Sequence, residues 1–272
     1  MKLTLEKDGR RYSFQTEKGM DLSISLNPKG PRAWYVEPMR IEPVRTEQFL
    51  GSVAEGGAVN FRDVYFNPHG HGTHTENVGH IVDTDFPVVS SVGSSHYVAK
   101  LISVNLRQGV SQGRSEGASQ DLPQDLSQNL ETGASQGDWV VSEESFEGFD
   151  LKAEALIIRT KPNDHSKMQR QYSGTNFPYL TIGAMQRIVD AGVQHLLIDL
   201  PSVDREEDGG ALAAHHLFWN VPANPNFQKT ITELIYVPNE IEDGTYVLNL
   251  QVSNFANDAA PSRPMLFGLM EE

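Results

Sequence analysis

The stretch from Tyr179 to Asp204 constrains the fold most, because it reads as one helix followed directly by one buried strand. Thr181 is placed to cap a helix whose apolar positions Ile182, Met185, Ile188 and Val189 fall at helical spacing, and Ala191-Gly192 ends it. The strand His195 to Leu200 (HLLIDL) then stops at Pro201-Ser202-Val203-Asp204. Upstream, Leu151 to Thr160 (LKAEALIIRT) ends in an apolar, β-rich run of the kind buried in a sheet. If Leu156 to Arg159 pairs in parallel with the later strand, the unit is a β–α–β crossover. Asp199 and Asp204 then fall near a strand's carboxyl end, where open α/β sheets place their sites.

Strands predominate around this unit. Lys2 to Phe14 alternates about a Lys7-Asp8-Gly9 turn and predicts a hairpin, and Asp21 to Leu26, Ala58 to Phe66 and Tyr97 to Leu106 alternate in the same way. Ile231 to Val237 and Gly244 to Leu250 read as closing strands, and Gly209 to Trp219 becomes helical after a flexible start. Pro31 to Thr46, rich in Pro, Arg and aromatics, predicts an irregular arm whose Trp34 and Tyr35 could line a pocket for a planar substrate or simply pack. Residues 109–137 repeat Ser, Gln, Gly and Asp with almost nothing to bury, which predicts a flexible surface insertion. The expectation is a single mixed α/β domain over residues 1–272.

A chain of 272 residues can bury a sizeable core. Having no cysteine, it can form no disulfide framework, thiolate metal site or cysteine nucleophile, so any metal must be held by His, Asp and Glu. A formal charge of −14 argues against nucleic acid or an anionic membrane surface as a partner. The first residues lack the apolar core of a signal peptide, and no apolar run is long enough to span a bilayer; a soluble, cytoplasmic protein is expected.

The chemistry points to NPHGHGTHTENVGH, Asn67 to His80, which holds four of the nine histidines, three glycines and a glutamate. Imidazole and carboxylate are ligand types for zinc, manganese or iron, and glycine lets the backbone bend so that near neighbours can face one ion. A solvated loop, a capped helix start or adventitious metal binding would read the same way. His74, Glu76 and His80, with His215 and Glu233 far along the chain, are candidates for a metal held by two sequence regions. His96, His165 and His195 stand alone and read as structural or exposed, and His216, next to His215 on a helix, must point elsewhere.

The order of these segments resembles the cyclase family that includes kynurenine formamidase (arylformamidase) and isatin hydrolase. That family carries H-x-G-T-H-x-D-x-P-x-H, and Gly72, Thr73, His74 and His80 fall in register with it. YLTIGAMQRIVDAGVQHLLIDLPSVD is similar to the family's helix, GV turn and strand ending in D-x-P-S-V-D, and AHHLFW and ITEL resemble its later His and Glu. The resemblance runs from Asp21 to about Phe267, leaving out the Ser/Gln-rich insertion.

The resemblance implies a swivelling β/β/α, cyclase-like α/β fold with a barrel-like mixed sheet, assembled as a homodimer or larger oligomer in which the Trp34 arm could complete a neighbour's pocket. It implies one or two divalent ions, zinc most often and manganese in some members, used to hydrolyse small amides such as arylformamides and cyclic amides. His74, Glu76, His215 and Glu233 would be ligands, with Glu76 standing where the family has Asp, and His80 the general acid/base. Asp204 reads as orienting a ligand or ending the strand rather than binding metal itself. The family's first histidine falls on Gly70 and its Pro on Val78; of the flanking His69 and His71, His71 is taken as the replacement ligand because it is nearer in sequence. Because Gly70 carries no side chain, an inactive or purely binding descendant is the alternative. A structural oligomer module is a third reading, motivated by the aromatic arm.

Overall fold

In the computed structural model, residues 1–7, 9–109 and 137–270 are described. The bulk of the 109–137 insertion, residues 110–136, lies outside them. The strands are β1 (Lys2–Lys7), β2 (Arg10–Asp21), β3 (Arg40–Pro43), β4 (Arg62–Tyr65), β5 (His74–Glu76), β6 (His96–Asn105), β7 (Arg107–Gln108) and β8 (Trp139–Val141). Then follow β9 (Ala155–Lys161), β10 (Tyr179–Leu180), β11 (His195–Ile198), β12 (Thr230–Glu233), β13 (Gly244–Asn249), β14 (Ala259–Pro261) and β15 (Met265–Leu269). Among the described residues the α-helices are Ile182–Asp190 and Ala213–Trp219.

Ten strands build one mixed sheet in the order β1-β2-β15-β13-β6-β9-β11-β12-β5-β14. Its centre is parallel: β6 with β9, β9 with β11, β11 with β12. The crossover is therefore present, with Leu156 opposite Leu196 and the Ile182–Asp190 helix between the two strands. Thr181 caps that helix by accepting from the Ala184 N–H at 3.1 Å.

β9 and β11 read as unbroken apolar runs because both faces of the sheet are covered there. Leu156, Ile158, Leu196 and Ile198 pack under the two helices against Met185, Ile188, Phe218 and Trp219. Ile157 and Leu197 point the other way, into a second cluster with Leu101, Leu248 and Leu266.

Several expectations change. Asp21 to Leu26 is not a full strand; beyond the end of β2 only a bridge from Ser23 to Ile235 is formed. The Pro31 to Thr46 arm is more regular than its composition suggests, since β3 pairs antiparallel with β4 as an outlying two-stranded sheet. The main sheet has an open strand order, and among the described residues β1 and β14 are not paired to each other, so a closed barrel is not seen.

His195, on β11, is structural. It is buried, stacks on Tyr97 at 4.2 Å between ring centres and shares a 2.8 Å hydrogen bond with Thr230. Burial lowers its pKa to about 4. The folded state therefore keeps the ring neutral while the unfolded chain takes up a proton below about pH 6.5, so stability is full above that pH and is lost as pH falls toward 4. The shift corresponds to about 3 kcal/mol. Urea unfolding at pH 7.5 and pH 4.5 should show this loss in the wild type and a smaller one in His195→Gln. Equal losses in the two proteins would remove His195 as the cause.

Candidate active site

The site is assembled by strand register. On β5, His74 and Glu76 are two residues apart and so face the same side of the sheet. β12 lies antiparallel beside β5 with Glu233 opposite His74, which brings the second carboxylate to the same face. β14 pairs with the other edge of β5, Ala259 opposite Glu76, and the preceding residue Asp258 arrives beside the cluster. The strand predicted at Ala58 to Phe66 does not carry the site: β4, within it, belongs to the outlying pair, and His74 and Glu76 lie within the main sheet.

His215 comes from the Ala213–Trp219 helix, and Asp204 fixes it there. The Asp204 carboxylate accepts from the backbone N–H groups of Ala214 and His215 at 2.8 and 3.1 Å, and it lies 2.6 Å from His215 Nδ1. His215 Nε2 then faces Glu76 Oε1 at 3.0 Å and Glu233 Oε1 at 3.9 Å. Burial opposes a charge on His215, but its contacts with Asp204 and Glu76 outweigh it and raise the pKa well above the ordinary value. Glu76 is fully enclosed; burial alone would raise its pKa, yet His80, His215 and His69 together hold it well below the usual carboxylate range.

The expectation that His71 replaces the family's first histidine is corrected. Its Nδ1 accepts from the Asn67 N–H at 2.8 Å and its Nε2 donates to the Glu37 carbonyl at 2.7 Å, so both ring nitrogens hold backbone. His69 occupies the place instead, with Nδ1 3.0 Å from Glu76 Oε2 and Nε2 2.9 Å from Asp258 Oδ2. Those two carboxylates overcome the burial that disfavours its charge and raise its pKa to about 10. Gly70 is required for packing: a Cβ there would stand 2.8 Å from Val36 Cγ2 and 3.3 Å from the Ala33 carbonyl. A histidine at 70 has no room under the arm, and the ligand-type side chain sits one residue earlier.

His80 stacks near His69, with ring centres 4.4 Å apart, and its Nδ1 lies 3.4 Å from Asp258 Oδ2 and 3.9 Å from Glu76 Oε2. Its side chain is 30% exposed, the most open of the cluster's histidines. Among the described residues, three groups have donor atoms close enough to share an ion: His69, His80 and Asp258; His69, His74 and Glu76; Glu76, His80 and His215.

The donor chemistry fits a cation. His74 Nδ1 donates to the Gly72 carbonyl at 3.0 Å, which leaves Nε2 as a lone pair. That Nε2 is buried with no hydrogen-bond partner and faces Glu233 Oε2 at 3.4 Å. A lone pair aimed at a carboxylate is repulsive unless a positive charge lies between them, which a bound cation or a proton on Nε2 supplies.

Trp34 and Tyr35 make their contacts elsewhere. Trp34 is half-buried, edge-on to Phe177 at 5.5 Å, while Tyr35 is 66% exposed with its N–H donating to Ser173. His216 lies outside the cluster. Asp258 had no signal in the sequence, since it lies in a polar loop and is brought in only by the β14–β5 pairing.

No curated protein matches the chain. Among solved structures it is similar to a predicted metal-dependent hydrolase from Bacillus stearothermophilus, at 14% identity and TM-score 0.59, covering 92% of this chain and 98% of that one. It is similar to an isatin hydrolase bound to the product analogue thioisatinate, at 10% identity and TM-score 0.60, covering 93% of each chain. Isatin hydrolase A from Ralstonia solanacearum aligns at 15% identity and TM-score 0.60, covering 92% and 91%. At these identities the likeness establishes the fold. The family model described as "Putative cyclase" matches residues 20–205, well over half of the chain, and the chain belongs to that family.

Proposed function

We propose that this chain is a metal-dependent hydrolase of a small amide, of arylformamide or cyclic-amide type. The observation that carries the reading is the buried, unpartnered His74 Nε2 facing Glu233. His74, Glu76, His215 and Glu233 would hold the ion, with His69 in place of the expected His71 and Asp258 beside it. The donor set is wholly nitrogen and oxygen, which suits zinc first and manganese second. A divalent ion, when bound, supplies Lewis acidity toward a carbonyl oxygen and makes a water molecule more acidic.

The protein's own groups do the rest. Asp204 holds the His215 ring by Nδ1, so that Nε2 stays aimed at the two glutamates. Asp258 and Glu76 face His80 Nδ1, and Nε2 is the atom that would pass a proton to the leaving amine.

The test is elemental analysis of the purified protein with turnover of N-formylarylamines and isatin-type cyclic amides. Stoichiometric divalent metal, loss of turnover on chelation and its return with zinc or manganese are expected. Saturable binding without turnover in the metal-loaded protein would favour a binding descendant, and turnover insensitive to chelator would remove the metal from the reaction.

The arm is proposed to meet a second copy of the chain. Tyr35, Val53, Val59, Phe61 and Val64 are each at least half exposed, apolar side chains that an interface between copies would cover. Light scattering should give a dimer or larger assembly that Phe61→Asp/Val64→Asp dissociates, whereas a wild-type monomer would refute the idea.

A further inference from the structure

A second cleft, of about 460 Å³, lies between the Ile182–Asp190 helix, the Ala213–Trp219 helix and the loop at 220–229. None of its lining residues belongs to the candidate active site. Its distinguishing member is Lys229, which is only 7% exposed and lines the cleft just ahead of β12. The ammonium lies 4.5 Å from the centre of the Phe218 ring.

In a chain with 36 acidic residues against 22 Lys and Arg, Lys229 forms no ion pair and no side-chain hydrogen bond among the described residues. Burial lowers its pKa, with no neighbouring carboxylate to oppose the effect. By contrast the buried Lys167 has its carboxylate, Asp199, at 2.8 Å. The ammonium rests on the Phe218 ring face rather than on a carboxylate, so an anion entering the cleft would meet a cation that has no counter-ion.

The walls state what kind of anion. Phe218, Phe227, Leu217 and Val189 supply apolar surface, while Asn224 and Asn226 supply carboxamides near the rim. The loop is held in shape: Asn224 N–H donates to the Asn220 carbonyl at 3.0 Å and Asn226 N–H to the Trp219 carbonyl at 2.9 Å. The Trp219 indole N–H donates to the Lys229 carbonyl at 3.1 Å, which fixes the lysine backbone against the helix end.

We propose that this cleft binds a small organic monocarboxylate, with the Lys229 ammonium on the carboxylate and the Phe227, Leu217 and Val189 side chains against its apolar body. The site is independent of the hydrolase reading and requires no metal.

Isothermal titration of the full chain with sodium benzoate tests it, with benzamide as the uncharged isostere and inorganic phosphate as the anion lacking an apolar body. Benzoate should bind saturably, and benzamide and phosphate about tenfold or more weaker, the scale of one charge-assisted contact. Lys229→Met should weaken benzoate to a similar degree while His74→Ala leaves it unchanged, which separates this cleft from the candidate active site. Should Lys229→Met fold poorly by its melting curve, Asn226→Asp serves instead: it can still accept from the Gln228 N–H, as Asn226 does at 2.9 Å, and sets a negative charge at the rim. Benzamide binding as tightly as benzoate, phosphate binding more tightly, or benzoate binding lost in His74→Ala but kept in both cleft variants would overturn the proposal.

Discussion

His74→Ala is expected to strip the protein of its divalent ion and lower hydrolysis by more than the ~10–100-fold typical of a lost outer-shell partner. His71→Ala, three residues away and nominally the same change, should keep both metal and turnover within about threefold, showing its effect in stability at ~1–3 kcal/mol. The contrast follows from the ring nitrogens. His74 donates from Nδ1 to the Gly72 carbonyl and leaves Nε2 buried and bare. His71 uses Nδ1 on the Asn67 N–H and Nε2 on the Glu37 carbonyl, which pins the base of the arm. Elemental analysis and initial rates on both variants, with melting curves to establish that each folds, make the comparison. Metal retained by His74→Ala, or metal lost by His71→Ala, would reverse the assignment and restore His71 to the site.

That pair of histidines also marks the limit of what the sequence could disclose. The crossover was legible because Thr181, Met185, Ile188 and the HLLIDL run are local signals, and local chemistry decides them. His74 and Glu76 were legible as candidate ligands from residue type and motif, but not as a same-face pair, since β5 is three residues long and shows no strand pattern of its own. Which of His69 and His71 turns inward depends on Val36 and Ala33 packing on Gly70, residues more than thirty positions earlier. Asp258 is further removed, since its approach needs β14 to pair with β5 across nearly two hundred residues of chain. β4 was legible within the alternating Ala58 to Phe66 run, but β3 and its pairing with β4 escaped for the opposite reason. Their residues bury little, so no hydrophobic pattern separates a paired hairpin arm from an irregular one.

Lys167→Met should cost ~3–5 kcal/mol, the range for a buried ion pair deprived of one partner. In a chain of this size that lowers the melting temperature by roughly 10 °C. Lys167 Nζ donates to Asp199 Oδ2 at 2.8 Å, to the Thr160 carbonyl at 2.8 Å and to Thr160 Oγ1 at 2.9 Å, with both charged side chains almost wholly enclosed. Asp199 also accepts from the Thr160 N–H and hydroxyl, both at 2.9 Å, yet burial still outweighs these contacts and leaves its pKa raised. Removing the lysine takes away the principal group favouring the carboxylate's charge, so the pKa rises further. A carboxyl group whose folded pKa exceeds its unfolded value is most favourable to folding below the unfolded pKa, and that contribution is lost as pH rises through the folded one. The deficit of Lys167→Met should therefore be largest at pH 8 and shrink as pH falls toward 5. Lys167→Met/Asp199→Leu, which removes both charges, should recover most of the loss and show little of that pH dependence. Chemical denaturation of the three proteins at the two pH values decides it: a single variant within about 1 kcal/mol of wild type, or a deficit that grows on acidification, would show that Asp199 is not held charged by Lys167. Asp199 directly follows β11 and lies five residues before Asp204, the group that holds His215 in place, so the ion pair anchors the segment that leads into the candidate active site.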